Sequence, residues 1–163
     1  MIKVAIITVS DKGSRGERTD LSGKTIRNTM EKLEAKVTYY KVVPDEADLI
    51  KSALIEAVDK LGVDLVLTTG GTGLASRDVT PEATRAVIEK LVPGISEVIR
   101  MENFKKTPKA ILSRAIAGVR RKSLIINLPG SPKGVRESLE IILKAIPHGI
   151  EVLKDDVTDC GKE

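Results

Sequence analysis

The chain has 163 residues, of which 41% are hydrophobic and 31% are charged, and its formal net charge is +4. This length and balance predict one globular domain with a sizeable core and exclude an intrinsically disordered chain. Aromatic residues make up only 2% of the chain, so it lacks stacking platforms for single-stranded nucleic acid and its core must be aliphatic.

Several features of the sequence favour a soluble cytoplasmic protein. Cys160 is the only cysteine, so neither a disulfide framework nor a zinc set can form within the chain. The first residues lead directly into a predicted strand, without a visible signal peptide, and no apolar run approaches the ~20 residues of a transmembrane helix. We therefore expect no membrane or nucleic-acid partner, and the mild positive charge suits an anionic small molecule.

Strand and helix patterns alternate along the first half of the chain. The predicted strands are apolar, β-branched runs at 3–9, 37–43 and 65–69. Apolar residues recur at helical spacing over 21–33 and 46–61, and the polar stretch 12–20 is predicted as a loop.

The second half begins with a predicted helix in which Thr80 is the N-cap and Pro81 the first helical residue. This helix is expected to run to Leu91 and to be ended by Pro93-Gly94. We expect two helical pieces within 95–119, divided near Pro108. The remaining predicted elements are a strand at 123–127, a helix at 135–146 and a further turn at 147–153.

This alternation predicts a single-domain, three-layer α/β/α fold with a mostly parallel sheet. The domain should span residues 1–153, and a polar, frayed C-terminal tail should occupy 154–163. Ligands of such sheets bind beyond the carboxyl ends of the strands. Four predicted loops carry polar residues at that end and should converge on one rim: Ser10-Asp11, Pro44–Glu46, Thr69–Gly73 and Asn127–Lys133.

The run T-T-G-G-T-G-L-A-S-R-D-V-T-P-E at 68–82 is the most informative segment of the chain. Its glycines permit positive φ angles, and successive N–H groups in such a turn can converge on an anion. It matches neither a Walker A loop nor a dinucleotide fingerprint, and an ordinary strand-to-helix turn is the alternative. The predicted phosphate-binding residues of this run are Thr69, Gly70, Gly71, Thr72, Gly73 and Arg77.

Three acids could meet at the same rim, namely Asp11, Asp45 and Asp78. Carboxylates near a phosphate are typical of a Mg²⁺ site, because this ion binds one or two carboxylates together with substrate oxygens. Asp78 is predicted to be functional, since it follows the glycine turn. For Asp11 and Asp45 a capping role stays open, and Asp45 could cap the helix over 46–61.

Two further segments offer groups that bind phosphate. Arg114, beside Ser113, suits a bidentate phosphate contact, with an exposed ion pair as the alternative. The loop at 127–133 offers an amide, a hydroxyl and an ammonium group at a helix start, and a rigid turn is its alternative. The candidate residues of this loop are Asn127, Pro129, Gly130, Ser131 and Lys133.

The chain resembles the molybdenum cofactor biosynthesis family that contains the MogA-type molybdopterin adenylyltransferases and the shorter MoaB-type proteins. The resemblance spans roughly residues 3–153, and its most specific motif is T-T-G-G-T-G-L-A-S-R-D-V-T-P-E-A at 68–83. The other matching motifs are T-V-S-D at 8–11, V-P-D-E at 43–46, P-G at 93–94, A-I-L-S-R at 110–114 and N-L-P-G-S-P-K at 127–133.

The resemblance implies Mg²⁺-ATP-dependent adenylylation of molybdopterin with release of pyrophosphate. ATP would be the co-substrate, and Asp45 and Asp78 match the acids regarded as catalytic and metal-binding. It also implies a homotrimer or hexamer and hand-over of the product to a molybdenum insertase. The chain lacks the insertion that larger adenylyltransferases carry after the 127–133 loop, so a non-catalytic pterin- or nucleotide-binding paralogue of the short MoaB type is the alternative.

Overall fold

The computed structural model describes residues 1–155, which form a six-stranded sheet with helices on both faces. Cys160 and most of the predicted tail lie outside the described residues. The strands, in chain order, are β1 (Ile2–Val9), β2 (Ala35–Val43), β3 (Leu65–Thr69), β4 (Lys90–Leu91), β5 (Ala117–Arg120) and β6 (Ser123–Leu128). Within residues 1–155 none of the helices combines the length and the apolar composition needed to cross a membrane.

The helices connect these strands and cover the sheet. In chain order they are α1 (Asp11–Ser14), α2 (Leu21–Met30), α3 (Ala47–Ile55), α4 (Thr80–Val87), α5 (Pro93–Phe104), α6 (Pro132–Ile142) and α7 (Ile146–Leu153). A π-helical turn, Glu56–Lys60, continues α3, and a 3₁₀ turn, Pro108–Leu112, follows α5.

The strand order is β2-β1-β3-β6-β5-β4, and the four strands β2, β1, β3 and β6 are parallel. Strands β5 and β4 run antiparallel at one edge. The predicted three-layer α/β/α fold with a mostly parallel sheet is therefore confirmed. The carboxyl ends of the four parallel strands lie at one rim. The polar loops that follow these strands therefore meet at that rim, as the sequence predicts.

Successive side chains of each strand point to opposite faces of the sheet, so the hydrophobic core consists of two clusters, one on each face. In β1, Val4 and Ile6 pack towards α2, α5, α6 and α7, whereas Ala5 and Ile7 pack towards α3 and α4. All four of these side chains are fully buried. Because both faces are covered, the strand reads as a continuous apolar run rather than as an alternation with polar residues.

The sequence-based prediction is wrong in the segment between α4 and β6. Leu91 lies in β4, where it pairs with Gly118 of β5, and Pro93 begins α5 instead of ending the preceding helix. Proline suits the first turn of a helix because its missing N–H is not needed there. Residues 117–119 form a strand, not a helix, since a short apolar run buried on both sides has no diagnostic period.

Three smaller predictions also need correction. The stretch 12–20 is not only a loop, because α1 begins at Asp11 and is capped by Ser10. Thr80 is not an N-cap, since α4 begins at Thr80 itself and the hydroxyl makes no hydrogen bond within the described residues. Lys154 is held by an ion pair of 2.7 Å to Asp64, so the predicted fraying does not begin at that residue.

Asn127 joins four parts of the fold beneath the rim. Its Nδ2 donates to Thr68 Oγ1 at 3.0 Å and to Thr84 Oγ1 at 2.9 Å, and its Oδ1 accepts from Ile116 N at 3.2 Å. Its exposed fraction is only 1%. The polar atoms of this side chain are therefore used within the protein, and its contact with a substrate stays a prediction.

We expect Asn127→Leu to lower the free energy of unfolding by about 1–3 kcal/mol, because the buried hydroxyls of Thr68 and Thr84 would lose their donor. Urea denaturation followed by circular dichroism measures this change. Asn28→Leu, at an exposed position of α2, is the control and should have little effect. Equal stability of the Asn127→Leu protein and the wild type would contradict the assigned role.

Candidate active site

A cleft of about 680 Å³ opens at the carboxyl ends of β1 and β3. The chain passes from β1 to β2 through α2 on one face and from β2 to β3 through α3 on the other, so this is a switch point of the sheet. The cleft confirms that the four predicted loops converge. Lining residues from these loops are Ser10, Asp45, Thr69, Gly70, Gly71, Gly130 and Ser131.

Two glycines give the loop after β3 its path. Gly70 has φ +94°, and a Cβ there would collide with the carbonyl oxygen of Val9. Gly71 has φ +66°, a conformation that residues with a Cβ rarely adopt. Only glycine therefore allows the loop to turn this close to the end of β1.

The turn leaves a run of backbone donors without protein acceptors. Gly70 N donates to Leu128 O at 3.3 Å, but the N–H groups of Gly71, Thr72 and Gly73 make no hydrogen bond within residues 1–155. Successive N–H groups in a turn of this kind form a concave anion site. The loop is thus suited to phosphate oxygens, as the sequence predicts.

Asp11 and Asp45 bind each other's backbone. Asp11 N donates to Asp45 Oδ2 at 2.9 Å, and Asp45 N donates to Asp11 Oδ1 at 3.0 Å. This reciprocal pair ties the end of β1 to the end of β2. It also rules out Asp45 as the cap of α3, whose N-cap is Glu46 and has no side-chain hydrogen bond.

The two acids have opposite electrostatic surroundings. Arg77 donates to both carboxylate oxygens of Asp11, at 2.9 and 2.8 Å, and this hydrogen bonding lowers the pKa of Asp11. Burial raises the pKa of Asp45, and the negative charges of Asp11 and Asp78 add to that rise. Asp45 is therefore a half-buried carboxylate for which a cation in the cleft would be favourable.

Asp78 lies beside the glycine loop and faces the same cleft. Its Oδ2 accepts from Ala75 N at 3.0 Å, and a Cβ at Gly73 would lie only 2.8 Å from this oxygen. The absence of a side chain at Gly73 thus lets the carboxylate approach the loop backbone. The structure brings Asp78 and Asp45 to one site, as predicted for a pair of acids.

Arg114 supports the loop from below. Its guanidinium donates to Gly73 O at 2.8 Å and to Asp78 O at 2.6 Å, and it forms an ion pair with Glu82. Its backbone N donates to Thr72 O at 2.9 Å. These contacts of the guanidinium hold the loop in place, and the predicted contact of Arg114 with phosphate stays a prediction.

The second predicted loop contributes backbone and one hydroxyl to the cleft. Thr69 donates to Pro129 O at 2.6 Å, which fastens the two loops together. Ser131 caps α6 by accepting from Gly134 N at 3.0 Å, and with Gly130 it lines the cleft. Lys133 is exposed and does not line the cleft, so its contact with substrate stays a prediction.

The sequence does not predict that the start of α2 forms one side of the cleft, as it does in the structure. Asp20 caps α2 by accepting from Gly23 N at 2.8 Å, and it also accepts from Thr8 Oγ1 at 2.5 Å and from the Tyr40 hydroxyl. Ser22 donates to Gly130 O at 2.7 Å. An aspartate immediately before an amphipathic pattern is the N-cap signal that could have identified this side of the cleft.

A second cleft, of about 500 Å³, lies on the other side of the glycine loop. Thr72, Gly73 and Ser113 line it, together with apolar residues such as Leu112 and Ile99. Ser131 borders both clefts. The predicted site residues are thus divided between two adjoining spaces, and the glycine loop is the partition between them.

The acids fit a magnesium ion better than a metal held by protein ligands alone. Among residues 1–155 no three His, Cys, Asp or Glu side chains are arranged to hold a metal ion. Mg²⁺ keeps several waters and binds one or two carboxylates together with substrate phosphates. The pair of half-buried acids, Asp45 and Asp78, beside free loop N–H groups suits that kind of coordination.

We expect Asp45→Asn to raise the thermal midpoint at neutral pH. The folded state raises the pKa of Asp45 above its usual 3.8, so the native state binds this proton more tightly than the unfolded state does. The associated stabilisation is present at low pH and is lost as the pH rises through the raised pKa. Asparagine has no charge and can still accept from Asp11 N.

Calorimetric melting from about pH 4 to about pH 7 measures this effect, whose size should grow with pH. Asp11→Asn is the matched control, because Arg77 favours the charge of Asp11 and its removal should not raise the midpoint. A midpoint of Asp45→Asn at or below that of the wild type at neutral pH would show that the charge of Asp45 is not destabilising.

Comparison with known proteins places this site in a family. Residues 5–148 match the family described as a probable molybdopterin binding domain. The molybdopterin adenylyltransferase of Helicobacter pylori (strain ATCC 700392 / 26695) is 49% identical over 154 residues, which cover 93% of this chain and 88% of that protein. The molybdopterin adenylyltransferase of Escherichia coli (strain K12) is 40% identical over 158 residues, covering 91% and 80%.

A solved structure agrees with these matches. The molybdopterin biosynthesis enzyme MoaB from Thermus thermophilus has a TM-score of 0.90 and 51% identity, over 95% of this chain and 98% of that one. The resemblance that the motifs at 68–83 and 127–133 indicate is therefore confirmed. The fold, the loop motifs and the matched residues together show that this chain belongs to the molybdopterin binding domain family of molybdenum cofactor biosynthesis.

Proposed function

We propose that this protein is a molybdopterin adenylyltransferase that acts in molybdenum cofactor biosynthesis. Two relatives of that name, at 49% and 40% identity, align over nearly the whole chain and support this activity. The observation that carries the proposal is the pairing of Asp45 and Asp78 beside the unbonded N–H groups of the glycine loop. This arrangement provides for a metal ion and for phosphate within one cleft.

The proposed reaction is a nucleotidyl transfer from ATP. An oxygen of the terminal phosphate of molybdopterin attacks the α-phosphorus of ATP, and the bond from that phosphorus to the α–β bridging oxygen breaks. Pyrophosphate leaves with the electron pair, and adenylylated molybdopterin is formed. Bound Mg²⁺ would neutralise charge on the phosphate oxygens.

The residues of this chain bind and orient the reacting groups. The N–H groups of Gly71, Thr72 and Gly73 would bind phosphate oxygens, and Asp45 and Asp78 would hold the metal ion. Arg77 and Asp11 would keep Asp45 in place through the reciprocal hydrogen bonds described above. Preorganised groups of this kind need no reorganisation when charge develops during transfer.

The pathway context follows from this activity. We expect the reaction to take place in the cytoplasm, with molybdopterin and ATP as the small-molecule partners. The adenylylated product would then be handed to a molybdenum insertase.

A non-catalytic pterin- or nucleotide-binding protein is the second candidate function. It is favoured by the absence of the insertion that larger adenylyltransferases carry after the 127–133 loop. In this chain α6 follows that loop, and only residues 143–145 separate α6 from α7. In this case the same phosphate contacts would bind molybdopterin without transfer.

We expect Asp78→Asn to lower kcat by about a hundredfold or more, with a much smaller change in pterin affinity. An interaction that is stronger in the transition state lowers kcat and kcat/KM together. Release of pyrophosphate from molybdopterin, ATP and Mg²⁺ measures turnover, and fluorescence titration measures pterin binding. Asp48→Asn, an exposed acid on α3, is the control and should retain turnover.

Chelation of the metal separates the two candidate functions. Under the enzyme hypothesis a chelator abolishes AMP transfer and leaves pterin binding largely intact. A wild-type protein that binds pterin but yields no pyrophosphate with ATP and Mg²⁺ would favour the binding protein. Near-native turnover of Asp78→Asn would contradict the role of this acid.

We also propose that the protein assembles into a homotrimer or a dimer of trimers. Support comes from large apolar side chains that stay exposed on α5 and the following 3₁₀ turn, notably Met101 (66%), Phe104 (46%) and Ile111 (60%). Contiguous exposed apolar surface is typical of protein interfaces.

Sedimentation at micromolar concentration should show about three or six chains, and Met101→Glu should shift the distribution towards smaller species by burying a charge. Asn28→Glu, at an exposed position of α2, adds the same single negative charge away from this surface and is the control. A monomer throughout that concentration range would contradict assembly.

A further inference from the structure

The hydroxyl of Thr80 is buried without a hydrogen-bond partner. Thr80 is 0% exposed, and its Oγ1 makes no hydrogen bond within residues 1–155. Its backbone N donates to Gly71 O at 3.1 Å, so the residue is fixed against the glycine loop. A buried, unpaired hydroxyl costs free energy that valine, of nearly the same shape, would not incur.

The hydroxyls of three other buried threonines near the rim have hydrogen-bond partners. Thr69 donates to Pro129 O, and Thr68 and Thr84 both accept from the amide of Asn127. Thr80 also makes no side-chain cap at the start of α4. Packing and capping therefore do not account for the hydroxyl at this position.

Asp45, across Gly71, is a candidate partner for this hydroxyl. A Cβ at Gly71 would collide with Thr80 Oγ1 and would lie 3.3 Å from Asp45 Oδ1, so the glycine leaves this space open. Asp45 Oδ2 accepts from Asp11 N, whereas Oδ1 accepts no hydrogen bond within residues 1–155. An unused donor and an unused acceptor thus lie on two sides of the same glycine.

We propose that Thr80 is a positioning residue that acts through Asp45. With phosphate and Mg²⁺ bound in the cleft, the half-buried carboxylate of Asp45 would turn so that its Oδ1 accepts from Thr80 Oγ1, and this contact fixes the orientation of the carboxylate. Asp11 N already holds the other oxygen, so both oxygens of Asp45 would then be set by the protein. This inference rests on the proposed function, because it assumes that Asp45 acts on the phosphates.

The test compares Thr80→Val with Thr80→Ser. The valine variant keeps the shape and removes the hydroxyl, so its thermal midpoint should equal or exceed that of the wild type. Its kcat for AMP transfer should fall by about tenfold while KM for molybdopterin changes little, because a misplaced group impairs the chemical step. The serine variant keeps the hydroxyl and should restore most of kcat.

A double-mutant cycle provides a readout that does not need turnover. Calorimetric titration with Mg²⁺ and the non-hydrolysable ATP analogue AMPCPP should show weaker binding to Thr80→Val than to the wild type. The same substitution in an Asp45→Ala background should have no further effect, because the hydroxyl acts through Asp45.

The outcomes distinguish this inference from the proposed function. Wild-type kcat in Thr80→Val, or equal losses in the valine and serine variants, would overturn the role of the hydroxyl. A lowered midpoint with loss of pterin binding would show that Thr80 is only structural. A wild-type protein without AMP transfer would refute the proposed enzyme activity. The AMPCPP titrations would then still test Thr80. An equal loss of AMPCPP affinity on Thr80→Val substitution with Asp45 present and with Asp45→Ala would overturn its role.

Discussion

The close approach of Gly70 to the end of β1 is the constraint on which the candidate site depends. Because Gly70 has no Cβ, the chain leaving β3 turns directly against Val9 O instead of rising over the rim. The following N–H groups consequently have no acceptor in the described part of the chain, and the loop divides the rim into two clefts. The acids and the backbone N–H groups of the loop therefore share one location because of a single steric requirement.

The electrostatics of the site oppose stability in a way that suits catalysis. Asp45 is held half-buried beside two other acids, and its raised pKa shows that the folded protein disfavours its charge. The protein compensates at Asp11, where Arg77 lowers the pKa through a bidentate contact. Local rules of stability are broken mainly at functional sites in natural proteins, and within residues 1–155 the buried hydroxyl of Thr80 breaks such a rule as well.

The sequence predicts those parts of the fold whose signals are local. Strands β1, β3 and β6 are apolar runs bounded by turn residues, and the loops after them carry the polar residues, so both the sheet and the rim could be inferred. The pair β4–β5 could not, because Lys90-Leu91 is too short for any periodicity and Gly118 has no side chain to report its environment. Residues 90–91 and 117–120 are strands because they pair with each other and with β6 in the folded sheet, which no local sequence pattern indicates.

Two predicted site residues show what a sequence motif leaves undetermined. Arg114 and Asn127 are predicted to contact a substrate because a guanidinium suits phosphate and an amide suits polar ligands, but carbonyl and hydroxyl groups can accept from the same donors. In the fold Arg114 donates to two loop carbonyls and Asn127 to two buried hydroxyls. In this fold both side chains hold the rim together. A donor group in a motif therefore predicts a hydrogen bond, but the tertiary structure decides which acceptor it meets.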